Sequence, residues 1–132
     1  MDFKKLAPEQ KQAYLADIER ALTSRRLYLK SNFSLPDLAE ETGIKLHNLS
    51  YLINSERGLS FSDYMHLWRI RHFKERLNDS EWKDLTLEKM TAACGFKSRA
   101  TCWRAFIKLA GQTPSECLKL ARGIQSRSNA NF

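Results

Sequence analysis

A chain of 132 residues, 42% of them hydrophobic, is sized for one domain or two very small ones, and it holds no apolar run near the roughly 20 residues a membrane-spanning helix needs. The start, Met-Asp-Phe-Lys-Lys, lacks the apolar core of a signal peptide, so a cytoplasmic protein without membrane contact is expected. The net charge of +7 favours a polyanionic partner or an acidic surface over a neutral small molecule.

The charge is unevenly placed: 7 basic against 4 acidic residues up to Phe33, 6 against 7 from Ser34 to Ser80, and 9 against 4 from Glu81 onward. Attraction for an anion is therefore weighted toward the C-terminal part and the N-terminal helix. Cys94, Cys102 and Cys117 are odd in number and form no Cys-x-x-Cys pair, which argues against a disulfide framework or a zinc site. They are expected to be reduced and partly buried. His47, His66 and His72 stand at no metal spacing with a carboxylate or cysteine, so no metal or cofactor is expected.

Pro8 can open a first helix running to about Ser24, where Tyr14, Ile18 and Leu22 recur at i, i+4 spacing. This predicts an amphipathic surface helix. Ser34 is a good N-cap for the next helix, with Pro36 just inside, Asp37 and Glu40 near its positive end, and Gly43 at its end. Leu35, Leu38 and Ala39 form its buried face. After the turn Gly43-Ile44-Lys45 a further helix carries Leu49, Leu52 and Ile53 on one side and His47, Ser50, Tyr51 and Asn54 on the other. Short helix, glycine turn and amphipathic helix together make a helix-turn-helix pattern.

Glu56-Arg57-Gly58 interrupts the periodicity, Ser60 or Ser62 can cap, and from Phe61 to about Asn78 apolar residues recur at Phe61, Tyr64, Met65, Trp68, Phe73 and Leu77. A long helix with a broad buried stripe is expected. Leu87-x-x-Met90-Thr91-x-x-x-Gly95-Phe96-Lys97 then repeats Leu35-x-x-Leu38-Ala39-x-x-x-Gly43-Ile44-Lys45 52 residues later. With one extra residue, Cys102, Ala105 and Phe106 take the places of Leu49, Leu52 and Ile53. Ser98 to about Leu109 forms the second helix of this copy, Gly111 stops it, and Thr113 caps a last helix entered through Pro114. No strand-like alternation occurs.

At these residues the chain resembles the AraC/XylS family of transcription regulators, from about Ser34 to Leu120. The resemblance is carried by Gly95-Phe96-Lys97-Ser98, by Arg104, Phe106 and Lys108, and by Gly111-Gln112-Thr113-Pro114-Ser115-Glu116. Leu38-Ala39, Gly43-Ile44, Leu49-Ser50, Ile53-Asn54, Gly58, Phe61, Arg69-Ile70 and Leu77 add to it. Three positions depart from the family pattern: Cys102, where a large aromatic is usual, Phe73, where a small residue is usual, and Lys45, where Ser or Thr usually caps the recognition helix.

The resemblance implies an all-α fold of two tandem helix-turn-helix subdomains, homeodomain-like three-helix units joined by a long linker helix. The expected divisions are an N-terminal helix and lead-in over 1–33, the first helix-turn-helix over 34–60, the linker over 61–79, the second helix-turn-helix and final helix over 80–122, and a polar flexible tail over 123–132. It also implies sequence-specific binding of double-stranded DNA in transcription regulation, with the second helix of each unit in the major groove. RNA polymerase is a further candidate partner. Residues 1–33 resemble the lead-in to this domain in regulators with an N-terminal sensor, so the chain is expected to be part of, or derived from, such a regulator.

Periodicity and resemblance together nominate the contacts. His47, Ser50, Tyr51 and Asn54 from the first unit and Arg99, Ala100, Trp103 and Arg104 from the second would meet base edges. Arg99 and Arg104 can fork onto guanine N7 and O6, His47 and Asn54 can bond purine edges, and Ala100 can touch a thymine methyl. Arg57, Arg69, Arg71, Lys97 and Lys108 would hold phosphates. The competing reading is a helical adaptor whose degenerate helix-turn-helix fold meets an acidic protein. An enzyme is not expected, since neither a Gly-rich phosphate loop nor a Ser/His or Cys/His constellation is present.

Overall fold

The structure, a computed structural model, describes residues 2–123. Among them every regular element is helical: α1 (Pro8–Ser24), α2 (Leu35–Thr42), α3 (Leu46–Arg57), α4 (Phe61–Arg76), α5 (Leu87–Ala93), α6 (Arg99–Ala110) and α7 (Pro114–Arg122). Short 3-10 turns occur at Phe3–Lys5, Leu27–Leu29 and Ser80–Trp82. The expected tail lies, after Gly123, outside the described residues. The chain divides into two compact units, Met1–Met65 and His66–Phe132, with the boundary inside α4. None of the described helices is long and apolar enough to cross a membrane.

In the first unit α1 packs on both α2 and α3. Its fully buried side chains are Leu15, Ile18 and Leu22, spaced so that all three fall on one helical stripe. The expected stripe through Tyr14 is therefore turned by one residue: Tyr14 is half-buried, its ring 4.6 Å from that of Phe3. The amphipathic surface helix expected here is otherwise present: one stripe of α1 joins a core with Leu38, Leu49, Leu52 and Ile53, and most of its other side chains are exposed.

Helix α2 starts as its sequence dictates. The Ser34 hydroxyl accepts from the Asp37 backbone N–H, and the Asp37 carboxylate accepts from the Ser34 N–H at 2.9 Å, so each satisfies a backbone donor the helix would otherwise leave open. Those bonds hold the Asp37 carboxyl below its ordinary range. Gly43 ends the helix at φ 74°, a left-handed conformation that costs a side-chain-bearing residue about 1 kcal/mol or more.

In the second unit α5, α6 and α7 pack on one another. Phe106 is the centre of the core: its ring lies edge-on to Phe73 at 5.2 Å and 5.9 Å from Phe96. Phe73, large where the family pattern has a small residue, is wholly buried in this cluster with Met90, Cys94 and Cys102. The smaller Cys102 on α6 faces the same core, so the two departures are opposite changes of volume within one cluster. Burial drives the Cys94 and Cys102 thiols up to about 12; both are inert packing groups at neutral pH. The Arg122 guanidinium closes the end of α4 from a distance in sequence, donating to the Leu77 carbonyl at 2.7 Å.

Candidate nucleic-acid interface

Each unit ends its glycine turn in a helix of 12 residues, α3 and α6, and each helix is held by the same inward pattern. In α3, Leu49, Leu52 and Ile53 are fully buried, and in α6 Cys102, Ala105 and Phe106 are nearly so. Helical geometry then turns the remaining side chains to solvent. His47, Ser50 and Asn54 are exposed on α3, and Arg99, Ala100, Trp103 and Arg104 on α6. The eighth nominated base contact, Tyr51, is half-buried.

The two helices begin differently. Ser98 caps α6, its hydroxyl accepting from the Thr101 backbone N–H at 3.1 Å. Lys45 stands at the same place before α3 and makes no side-chain cap, because an ammonium has no lone pair to offer an N–H. Their charge differs as well. Arg99 and Arg104 make no ion pair among the described residues, so both guanidinium forks face solvent with their donors open to a ligand.

Trp103 is 54% exposed. It lines a mainly apolar cleft of about 190 Å³ with Leu87, Glu88, Thr91, Arg99, Cys102 and Pro114. Ile107, one turn further along α6, is 47% exposed. Sequence reasoning passed it over, although the i, i+4 step from Trp103 that sets the helix face also reaches it. Together they give the outer face of α6 an apolar strip beside its charges, a surface suited to thymine methyl groups as well as to guanine edges.

The nominated phosphate contacts separate into four situations. Lys97 and Lys108 are exposed on the turn before α6 and on its last turns. Arg71 is exposed with its guanidinium 4.8 Å from the Trp68 ring centroid, within range of a cation–π contact. Arg57 is tied instead to Glu19 of α1 through an ion pair of 2.7 Å, whose hydrogen bond raises its pKa. Arg69 does not fit the expectation: it is only 5% exposed on α4, and burial lowers its pKa. A guanidinium so enclosed does not present its fork to a phosphate at the surface, and its place is in the packing of the helix.

The charge balance of the sequence pointed to the N-terminal helix as a source of anion attraction, but not to Lys11 or its contact with α3. Lys11 lies one turn before Leu15 on the same stripe, and its ammonium donates to the Tyr51 hydroxyl at 3.3 Å. Extending the stripe Leu15, Ile18, Leu22 one turn toward the N-terminus would have pointed Lys11 at a neighbouring helix.

A family model described as a helix-turn-helix domain matches residues 38–120, from the middle of α2 to near the end of α7. None of the curated proteins matches. Among solved structures, a protein of unknown function from Listeria innocua is similar, with 29% identity and a TM-score of 0.54 over 66% of this chain and 80% of that one. The match to the family model covers more than half of the chain and includes both α3 and α6.

Proposed function

The chain belongs to the AraC-type family of helix-turn-helix domains, and from that premise we propose that it binds double-stranded DNA sequence-specifically through two recognition helices, α3 and α6, in adjacent segments of the major groove. DNA binding in transcription regulation is the activity of such a domain. The finer reading is carried by one observation: opposite the buried Cys102, Ala105 and Phe106, α6 exposes Arg99, Ala100, Trp103 and Arg104 on a single face. Forks and apolar groups side by side match what the major groove displays, acceptor pairs on guanine and methyl groups on thymine.

The repeat of 52 residues, with one long helix between its copies, supports a bipartite site whose halves are about one turn, or 10 base pairs, apart. Lys97, Lys108 and Arg71 act as phosphate contacts that set register, and the base-facing residues supply the sequence preference. RNA polymerase is the further partner of this reading, and the signal that controls it enters through other parts of a larger regulator.

The test is selection of bound duplexes from random DNA followed by titration at several salt concentrations. A recovered consensus, bound more tightly than random duplex with an affinity that falls as salt rises, is the expected result. Equal affinity for selected and random duplexes, or capture of acidic proteins but no duplex, would overturn it.

A further inference from the structure

We propose that Lys11 of α1 and Tyr51 of α3 form a two-donor clamp for a backbone phosphate of the bound duplex, which makes α1 part of the first unit's DNA surface and Tyr51 a phosphate contact, not a base reader. The proposal rests on the DNA-binding reading above. Its partner chemistry follows from the protons. An ammonium only donates, so in the 3.3 Å contact the Tyr51 oxygen accepts from Lys11. The phenolic hydrogen is thereby directed away from Lys11, and two N–H groups of the ammonium remain. The pair offers donors and a positive charge, and what fits it is an anion rich in acceptor oxygens.

Position supports the same occupant. Tyr51 lies one turn after His47 and one turn before Asn54, at the edge of the face those exposed residues form. It is half-buried where they are not. The Lys11 ammonium lies 5.5 Å from the Tyr51 ring centroid and 3.3 Å from its hydroxyl, so the charge sits off the hydroxyl end of the ring, beside the recognition helix. A group fixed at the rim of such a helix meets the backbone that borders the groove, whereas the exposed centre of the face meets base edges.

Charge gives the clamp its purpose. From Ser34 to Ser80 there are 6 basic against 7 acidic residues, and Arg57 at the end of α3 is already paired with Glu19. α3 therefore brings little positive charge of its own to a phosphate chain. α1, which precedes the family match over 38–120, supplies it from outside the helix-turn-helix.

The experiment measures affinity of the full chain and its variants for a selected duplex and for a random duplex of equal length across a range of salt. Lys11→Gln should weaken both by about tenfold, the size of one charge-assisted hydrogen bond, and reduce the salt slope by about one. Tyr51→Phe should weaken both to a similar degree without changing the slope. The double variant should be little worse than Lys11→Gln, and Lys11→Arg should recover most of the loss. Thermal melts run beside the titrations; if Lys11→Gln melts early, Lys11→Met, which keeps the apolar stem, takes its place. Relaxed preference at one base pair in Tyr51→Phe, or an unchanged affinity and slope in the Lys11 variants, overturns the clamp. Absence of any salt-dependent duplex binding by the parent chain overturns the DNA reading itself, and it is seen before a variant is made.

Discussion

Helices α3 and α6 are two answers to one architectural requirement. Both are 12 residues long, and both bury a triad at matching positions, Leu49, Leu52 and Ile53 in one and Cys102, Ala105 and Phe106 in the other. Outside that triad they part. α6 is capped by Ser98 and exposes two arginines and a tryptophan, while α3 begins at an uncapped Lys45, exposes His47, Ser50 and Asn54, and has Lys11 of α1 against its Tyr51. Core positions repeat because packing at near-crystalline density leaves few alternatives. Exposed positions are free to differ, and under the proposed function their difference would give the second unit more of the electrostatic attraction and the first a more neutral readout.

The largest effect that can break this comparison is in the core. Phe106→Ala removes a fully buried ring that meets both Phe73 and Phe96, at an expected cost of about 3–5 kcal/mol. Trp68, Trp82 and Trp103, all the tryptophans of the chain, belong to the second unit, so tryptophan fluorescence during a thermal melt reports on it directly. A strongly lowered midpoint is expected. A melt like that of the parent would mean that α6 presents another face, and the nominated contacts would move with it.

Next in size is the division of labour on DNA. Arg99→Ala and Arg104→Ala should each weaken specific binding by about 1–3 kcal/mol, relax preference at one base pair and lower the salt slope, since each removes a fork and a charge. Asn54→Ala should relax preference with no change of slope. Equal losses on selected and random duplex for the arginines would remove their base-reading role, and a slope change in Asn54→Ala would erase the contrast between the units.

The smallest effects come from the helix starts. Ser98→Ala should cost the second unit about 1 kcal/mol, and Lys45→Ser should stabilise the first by about 0.5–1 kcal/mol, because a hydroxyl can accept an N–H at the start of α3 where an ammonium cannot. Denaturant titrations of the two variants should move in opposite directions. A destabilised Lys45→Ser would show that Lys45 makes a contribution other than capping.

Much of this was legible in the chain itself. The caps at Ser34 and Thr113, the stops at Gly43 and Gly111, and the inward residues of α3 and α6 follow from local rules of helix geometry. The exposed face of α6 came with them, since helical period fixes the outside once the inside is known. What local rules do not carry is which surfaces meet. Tyr14 and Leu15 are adjacent apolar residues, and only packing on α2 and α3 selects Leu15 for the core. Arg69 and Arg71 look alike in sequence, yet one is buried in α4 and the other rests on Trp68 in solvent. Lys11 with Tyr51 and Glu19 with Arg57 join residues 40 and 38 positions apart, beyond any helical period. The site was thus readable where one helix defines it and obscure where a second helix completes it.

The central claim is that both α3 and α6 read DNA, and footprinting on a selected duplex tests it most directly. The account predicts protection in two adjacent major-groove segments on one face of the duplex, about 10 base pairs apart, and loss of tight binding when about five base pairs, half a helical turn, are inserted between them. Protection of a single groove segment, with affinity indifferent to the insertion, would contradict it and leave one of the two helices without a part in reading DNA.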